Sequence, residues 1–146
     1  MKKLIHLMEV ATNWLTFLSP LVDLAVRVCV GMVFWRSGIV KMANMDSTIW
    51  LFANEYHVPL FSPTFAAYLS TGTELIFSAL LMAGLLGRFS AFVLFCVNLI
   101  AMLSYPTLHD TGVQWHITWG LMLLVTLVHG PGKISLDHFI WKKLHK

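Results

Sequence analysis

The chain has 146 residues, of which 58% are hydrophobic and 12% charged, with a formal net charge of +3. Soluble domains average about 45–50% apolar and about 25% charged residues, so an ordinary soluble globule and a disordered chain are both excluded. The net charge arises from few residues rather than a dense basic face, which argues against nucleic-acid binding. A membrane span takes roughly 20 apolar residues. The chain therefore has room for four or five spans and none for a second, soluble domain, and residues 1–146 read as one membrane domain.

The first predicted element is an amphipathic helix. Leu4, Met8, Ala11, Leu15 and Leu18 fall at helical spacing, with Lys2, Lys3, His6, Glu9 and Asn13 off that stripe. Such a segment is expected to lie at the membrane interface with Trp14 at headgroup level. Glu9 breaks the apolar run that a cleaved signal peptide needs. Ser19-Pro20 signals the start of a new helix. The first span, about 21–42, carries Asp23, Arg27, Arg36 and Lys41. The second, 63–86, is interrupted by Glu74. The third, 89–108, and the fourth, 112–130, contain no Lys, Arg, Asp or Glu. A short basic amphipathic tail covers 135–146. The predicted fold is all-α: a four-transmembrane-helix bundle preceded by an interfacial amphipathic helix.

Orientation follows the distribution of Lys and Arg. With the N-terminus in the cytoplasm, Lys2, Lys3, Arg88, Lys133, Lys142, Lys143 and Lys146 all lie inside. Lys41 alone falls in an outer loop. Both termini are therefore expected in the cytoplasm of a bacterial cell, with the protein in its inner membrane. The longest outer loop, about 43–62, contains Asp46, Trp50, Glu55, Tyr56 and His57.

Charges within the hydrocarbon are costly, at least about 2.5 kcal/mol each on insertion scales, so they pair, reach for the interface or line a cavity. At 100° per residue, Asp23, Arg27, Gly31, Phe34, Gly38 and Lys41 share one face within about 80°. That stripe is expected to face the bundle interior. Asp23 and Arg27 form an i, i+4 pair. Arg36 points the opposite way, toward the outer interface or another subunit of a homo-oligomer. Glu74 sits mid-span with Ser70, Thr71 and Ser78 on its face. An Arg27–Glu74 ion pair is predicted, with Asp23 as a second acid. The cluster admits two readings: a device that fixes helix register, or a ligand-binding or proton-responsive site. Asn98 and His116 are two further interior polar residues.

His57, His109 and His116 fall at similar depth on separate segments and are candidate metal ligands. Their spacing contains no paired-ligand motif, so no metal is assigned. Cys29 and Cys96 also match in depth. Each lies about 200° from the polar residue of its own helix, Arg27 or Asn98, so both thiols are expected to face lipid. There is no C-x-x-C, which argues against disulfide exchange.

Three stretches resemble the DoxX family of membrane proteins. They are Arg27-x3-Gly31-x2-Phe34-x3-Gly38-x2-Lys41, then Glu74 followed by Ala83-Gly84-Leu85-Leu86-Gly87-Arg88-Phe89-Ser90-Ala91, and Gly130-Pro131-Gly132-Lys133-Ile134-Ser135-Leu136-Asp137. The resemblance covers about residues 21–138 and implies a four-helix bundle in the bacterial cytoplasmic membrane. It implies a link to redox or sulfur metabolism, and singles out Arg27, Lys41, Glu74 and Arg88. The expected function is a redox-associated subunit that binds a quinone or another small hydrophobic ligand near Arg27 and Glu74 and meets a redox protein. The expected ligand-binding residues are Asp23, Arg27, Lys41, Glu74, Asn98 and His116. The alternatives are a non-catalytic scaffold for other membrane proteins and a small transporter. Whether the chain is an enzyme stays open at this point.

Overall fold

The computed structural model describes residues 2–56, 58, 61–105 and 108–145, with the side chains of 2, 4–7, 10 and 11 set aside. It contains six helices among the described residues: α1 (Lys2–Ala43), α2 (Met45–Asn54), α3 (Pro63–Ala83), α4 (Gly87–Ser104), α5 (Asp110–His129) and α6 (Leu136–Leu144). Four are long and apolar enough to cross a bilayer: α1 over Thr12–Ala43, α3, α4 and α5. They pack as a ring, α1 on α3, α3 on α4, α4 on α5 and α5 back on α1. The all-α four-helix membrane bundle is the observed fold, and its spans lie close to the predicted ones.

Lipid tails are as apolar as leucine, so close packing rather than water exclusion holds such a bundle together. The interior holds Val30, Phe34, Leu81, Ala91, Leu94 and Leu123, all buried. Phe92, Ile100, Leu121 and Val128 face outward, where a soluble protein would place polar residues. Two glycines of the α1 stripe set the contact with α3. A Cβ on Gly31 would lie 2.5 Å from Met82 Cγ, and one on Gly38 would lie 2.8 Å from Leu75 Cγ. These contacts fix an antiparallel register in which Gly38 lies level with Leu75.

The N-terminal segment differs from expectation. It is not a separate helix; α1 runs without a break through Pro20. Proline removes one ladder donor and crowds the carbonyl four residues earlier. Long membrane helices tolerate this because the rest of the ladder persists on both sides. At 1.5 Å per residue, 42 residues reach about 63 Å, about twice the hydrocarbon thickness, so the first turns of α1 extend past the bilayer core.

The stretch expected to be an outer loop contains α2. Asn44 caps it, its Oδ1 accepting from the Ser47 N–H at 3.1 Å. Phe52 of α2 packs on Ala66 and Ala67 of α3. Thr48 is buried, and its hydroxyl donates to the carbonyls of Lys41 (3.1 Å) and Asn44 (3.0 Å), which ties α2 to the end of α1.

At the opposite end of the bundle the chain ends are locked together. Gly84, at φ +70°, ends α3, and Leu86, at φ 51°, turns the chain into α4. The first turn of α4 has no cap from its own sequence. Asp137, fifty residues later, supplies it: its carboxylate accepts from the N–H groups of Leu86 and Gly87, both at 2.8 Å. The Asp137 N–H donates to Gly84 O at 2.9 Å. Ser135 caps α6 by accepting from the His138 N–H at 3.2 Å. A charged cap at a helix N-terminus also meets the positive end of the helix dipole. Replacing Asp137 by Ala is expected to cost about 1–2 kcal/mol. Thermal unfolding of the detergent-solubilised variant measures this, with Asp137→Asn intermediate.

Candidate polar and cavity site

The predicted Arg27–Glu74 ion pair does not form. With Gly38 level with Leu75 and Gly31 near Met82, Arg27 falls at the level of Gly84. That is ten residues along α3 from Glu74, about 15 Å at 1.5 Å per residue. The sequence located both residues in the membrane but placed Arg27 too near its centre. Arg27 is 1% exposed. Its guanidinium donates to the carbonyl oxygens of Pro131 and Ile134, the second at 2.8 Å. Both carbonyls belong to the turn that follows α5. Gly84 admits this group: a Cβ there would lie 2.8 Å from Arg27 Nη1. Asp23 faces the same turn, within 3.0 Å of where a Gly132 Cβ would sit, and takes no part with Glu74. Arg27 and Asp23 thus belong to the end lock.

Glu74 instead pairs with Lys41. Lys41 Nζ lies 2.5 Å from Glu74 Oε1 and donates to Ser70 Oγ at 3.2 Å. The pair is largely withdrawn from its surroundings, with side-chain exposures of 18% for Lys41 and 4% for Glu74. A charge partner one α1 helix turn beyond Gly38 is what the register dictates. Glu74 Oε2 is buried with no hydrogen-bond partner among the described residues, a costly state for a carboxylate oxygen.

Lys41 and Ser70 also reach a cavity of about 280 Å³ between α2, α3 and α4. Its walls are mostly apolar, with Phe52, Leu69, Val97 and Ile100, and Thr73 adds a further hydroxyl. Tyr56 closes one side, stacked on Phe52 with ring centroids 4.8 Å apart and 5.1 Å from Tyr105. Burial pushes the Tyr56 phenol above its ordinary range, and the charge of Glu74 and the neighbouring Tyr105 push it the same way. The phenol is therefore a neutral hydrogen-bonding group. Cys96, expected to face lipid, is half-buried and lines the same cavity, whereas Cys29 is exposed as predicted. Both thiols are free. Ser70, four residues before Glu74, was visible as part of the polar stripe. Tyr56 and Tyr105 were not, because aromatic residues near a span end read as ordinary interface anchors.

Asn98 and His116, which the sequence offered as separate polar residues, are brought together by the structure. Asn98 is buried; its Nδ2 donates to the backbone carbonyl of His116 at 2.9 Å. Its Oδ1 then faces His116 Nδ1 at 2.8 Å. A carbonyl cannot donate, so the amide is fixed in orientation and the ring carries its proton on Nδ1. The free Nε2 lone pair stands beside Trp119, whose ring centroid is 5.1 Å from that of His116. His116 is thus committed to Asn98 rather than gathered with the other histidines. Among the described residues no group of three metal-ligating side chains occurs. His57 lies outside the described residues.

A profile of the DoxX family matches residues 22–107, from just after Pro20 to beyond the end of α4. The chain belongs to the DoxX family. The matched stretch includes Arg27, Lys41, Glu74 and Asn98, while His116 and Asp137 lie beyond it. A Bacillus subtilis (strain 168) protein named "Putative oxidoreductase CatD" is 30% identical over 123 residues, covering 82% of this chain and 87% of that protein. A Haemophilus influenzae (strain ATCC 51907 / DSM 11121 / KW20 / Rd) protein named "Uncharacterized protein" is 32% identical over 83 residues, covering 51% of this chain and 53% of that one. No solved structure matches. This DoxX protein therefore combines a multi-pass membrane bundle with the Lys41–Glu74 ion pair beside a mostly apolar cavity.

Proposed function

We propose that this DoxX protein is a redox-associated membrane subunit that binds a quinone-type ligand in the α2–α3–α4 cavity and hands it to, or receives it from, a redox protein. The observation that carries this reading is the placement of the Lys41 ammonium on the wall of a mostly apolar cavity. Small-molecule sites are concave and apolar, with a few polar groups that fix orientation. A quinone ring suits apolar walls, and its carbonyl oxygens accept hydrogen bonds from an ammonium and a neutral phenol. Lys41 keeps one N–H beyond the two it gives to Glu74 and Ser70, and Tyr56 offers the phenol, while the Ser70 hydroxyl donates to Glu74 Oε1 at 3.4 Å. Glu74 holds the Lys41 charge in place from behind. The printed name of the Bacillus relative, an oxidoreductase, agrees with such a role. The proposed setting is the bacterial inner membrane with both termini in the cytoplasm, a reading supported by the basic residues Lys3, Arg88, Lys133, Lys142 and Lys143 under the positive-inside rule.

Binding of decylubiquinone to the purified protein tests the reading, measured by quenching of tryptophan fluorescence. Saturable binding is expected. Leu69→Trp places a large ring in the cavity and is expected to weaken binding at least about tenfold, the equivalent of about 1.4 kcal/mol. Unchanged binding in that variant overturns the assignment.

A further inference from the structure

Of the four charges in the membrane-spanning part of α1, Thr12–Ala43, Asp23, Arg27 and Lys41 belong to the end lock or the cavity, and Arg36 belongs to neither. It lies within a membrane-spanning segment yet is exposed, and it makes no hydrogen bond or ion pair with any described residue. It stands seven residues before the end of α1, about 10 Å along the axis at 1.5 Å per residue. An arginine at such depth needs an anion or water. Long side chains can reach for the interface, but helix Cα–Cβ bonds tilt toward the N-terminus, away from the nearer end of α1. An anion that partners this guanidinium therefore meets it along the surface of α1 rather than beyond its end.

A groove between α1 and α2 provides the way in. It holds about 490 Å³, with Arg36 and Ser37 on α1 and Asn44, Ser47 and Thr48 at the start of α2. Asn44 uses its Oδ1 on the Ser47 N–H, which leaves its amide hydrogens free to donate. Thr48 and Lys41 are committed elsewhere. The free groups are thus a guanidinium, an amide and two hydroxyls, all donors, along one open groove. That set matches a phosphate oxygen cluster, which arginine binds bidentately.

A second copy of the chain cannot supply the anion at this depth. In this half of the bundle the acids are Asp46, Glu55, Glu74 and Asp110. Glu74 is buried and held by Lys41. Asp46 and Glu55 belong to α2 and its cap, and Asp110 is the first residue of α5. Asp46 and Asp110 are exposed, but Asp46 lies on α2 outside the spans and Asp110 is the first residue of the α5 span, so neither stands within a span at the depth of Arg36. The bilayer itself supplies phosphates to every such groove. We infer that the α1–α2 groove is a binding site for the phosphodiester headgroup of a membrane phospholipid, clamped by Arg36 with Ser37, Asn44 and Ser47.

Native mass spectrometry of the detergent-solubilised protein tests this, with phosphatidylglycerol as the probe and diacylglycerol of the same tails as its phosphate-free counterpart. The wild type is expected to retain phosphatidylglycerol and not diacylglycerol. Arg36→Gln is expected to hold one lipid fewer, with apparent affinity for that lipid down about tenfold, while Lys143→Gln leaves the count unchanged. Arg36→Gln faces lipid and should keep the wild-type helical content by circular dichroism. An equal lipid count in Arg36→Gln overturns the site, as does equal retention of diacylglycerol. Displacement of the lipid by millimolar inorganic phosphate would make it a free-ion site instead and also overturns the proposal. A dimer that dissociates in Arg36→Gln without loss of lipid assigns the arginine to a subunit contact, and overturns it too.

Discussion

Replacing Arg27 with Met is expected to destabilise the protein by about 3–5 kcal/mol, the largest loss predicted for any single substitution in the chain. The residue is 1% exposed, and its guanidinium satisfies two carbonyls, of Pro131 and Ile134, where the backbone has left α5 and not yet entered α6. A methionine offers neither carbonyl a donor in place of the buried guanidinium. Charge-assisted hydrogen bonds are worth about 1.5–3 kcal/mol each, so losing two exceeds the roughly 1 kcal/mol that a methionine recovers by packing. The unpartnered Nε lowers the total but does not reverse it. Arg27→Lys is expected to recover no more than about half, because a point ammonium cannot fork across two carbonyls. Thermal unfolding followed by tryptophan fluorescence in mild detergent measures both. If Arg27→Met melts within about 2 °C of wild type, the arginine does not hold the chain ends together.

That expectation assigns Arg27 to architecture, although in the sequence it stood beside Lys41 and Glu74 as a ligand candidate. The spans were legible because hydrophobic runs and their bounding charges obey the length of the bilayer. The interior face of α1 was equally legible, since Arg27, Gly31, Phe34 and Gly38 are all buried. Which charge meets which was not. A stripe places Arg27 and Lys41 on one face, but the partner of Glu74 depends on how far α3 slides along α1. That offset is set by Gly31 against Met82 and Gly38 against Leu75, contacts that only the packed pair displays. The same holds for Asp137, whose role as a cap for α4 joins residues fifty positions apart. The helix α2 escaped notice for a different reason. A ten-residue segment reads as a loop until Ala66 and Ala67 of α3 give Phe52, Met45 and Ile49 a surface to cover. Asn98 and His116 were readable as interior polar groups, yet their mutual hydrogen bonds depend on the α4–α5 contact.

Lys41 and Glu74 allow ligand binding to be separated from stability. Lys41→Met leaves Glu74, 4% exposed in its side chain, as a buried carboxylate without its cation. Breaking one side of a buried pair typically costs about 3–5 kcal/mol. Glu74→Gln is expected to be milder, because an amide still accepts from Lys41, which its 18% exposure leaves partly solvated. The double variant Lys41→Met/Glu74→Met is the informative one. Removing both charges together is often neutral or stabilising, so its unfolding temperature should return to the wild-type value or above. Its decylubiquinone affinity should not return, since the ammonium on the cavity wall is gone. A single charge-assisted hydrogen bond corresponds to about tenfold or more in affinity. A double variant that is stable and still binds as tightly as wild type would show that the pair only sets the register of α1 on α3. Recovery of stability without recovery of binding is the outcome that a ligand site at Lys41 requires, and no purely structural role for the pair produces it.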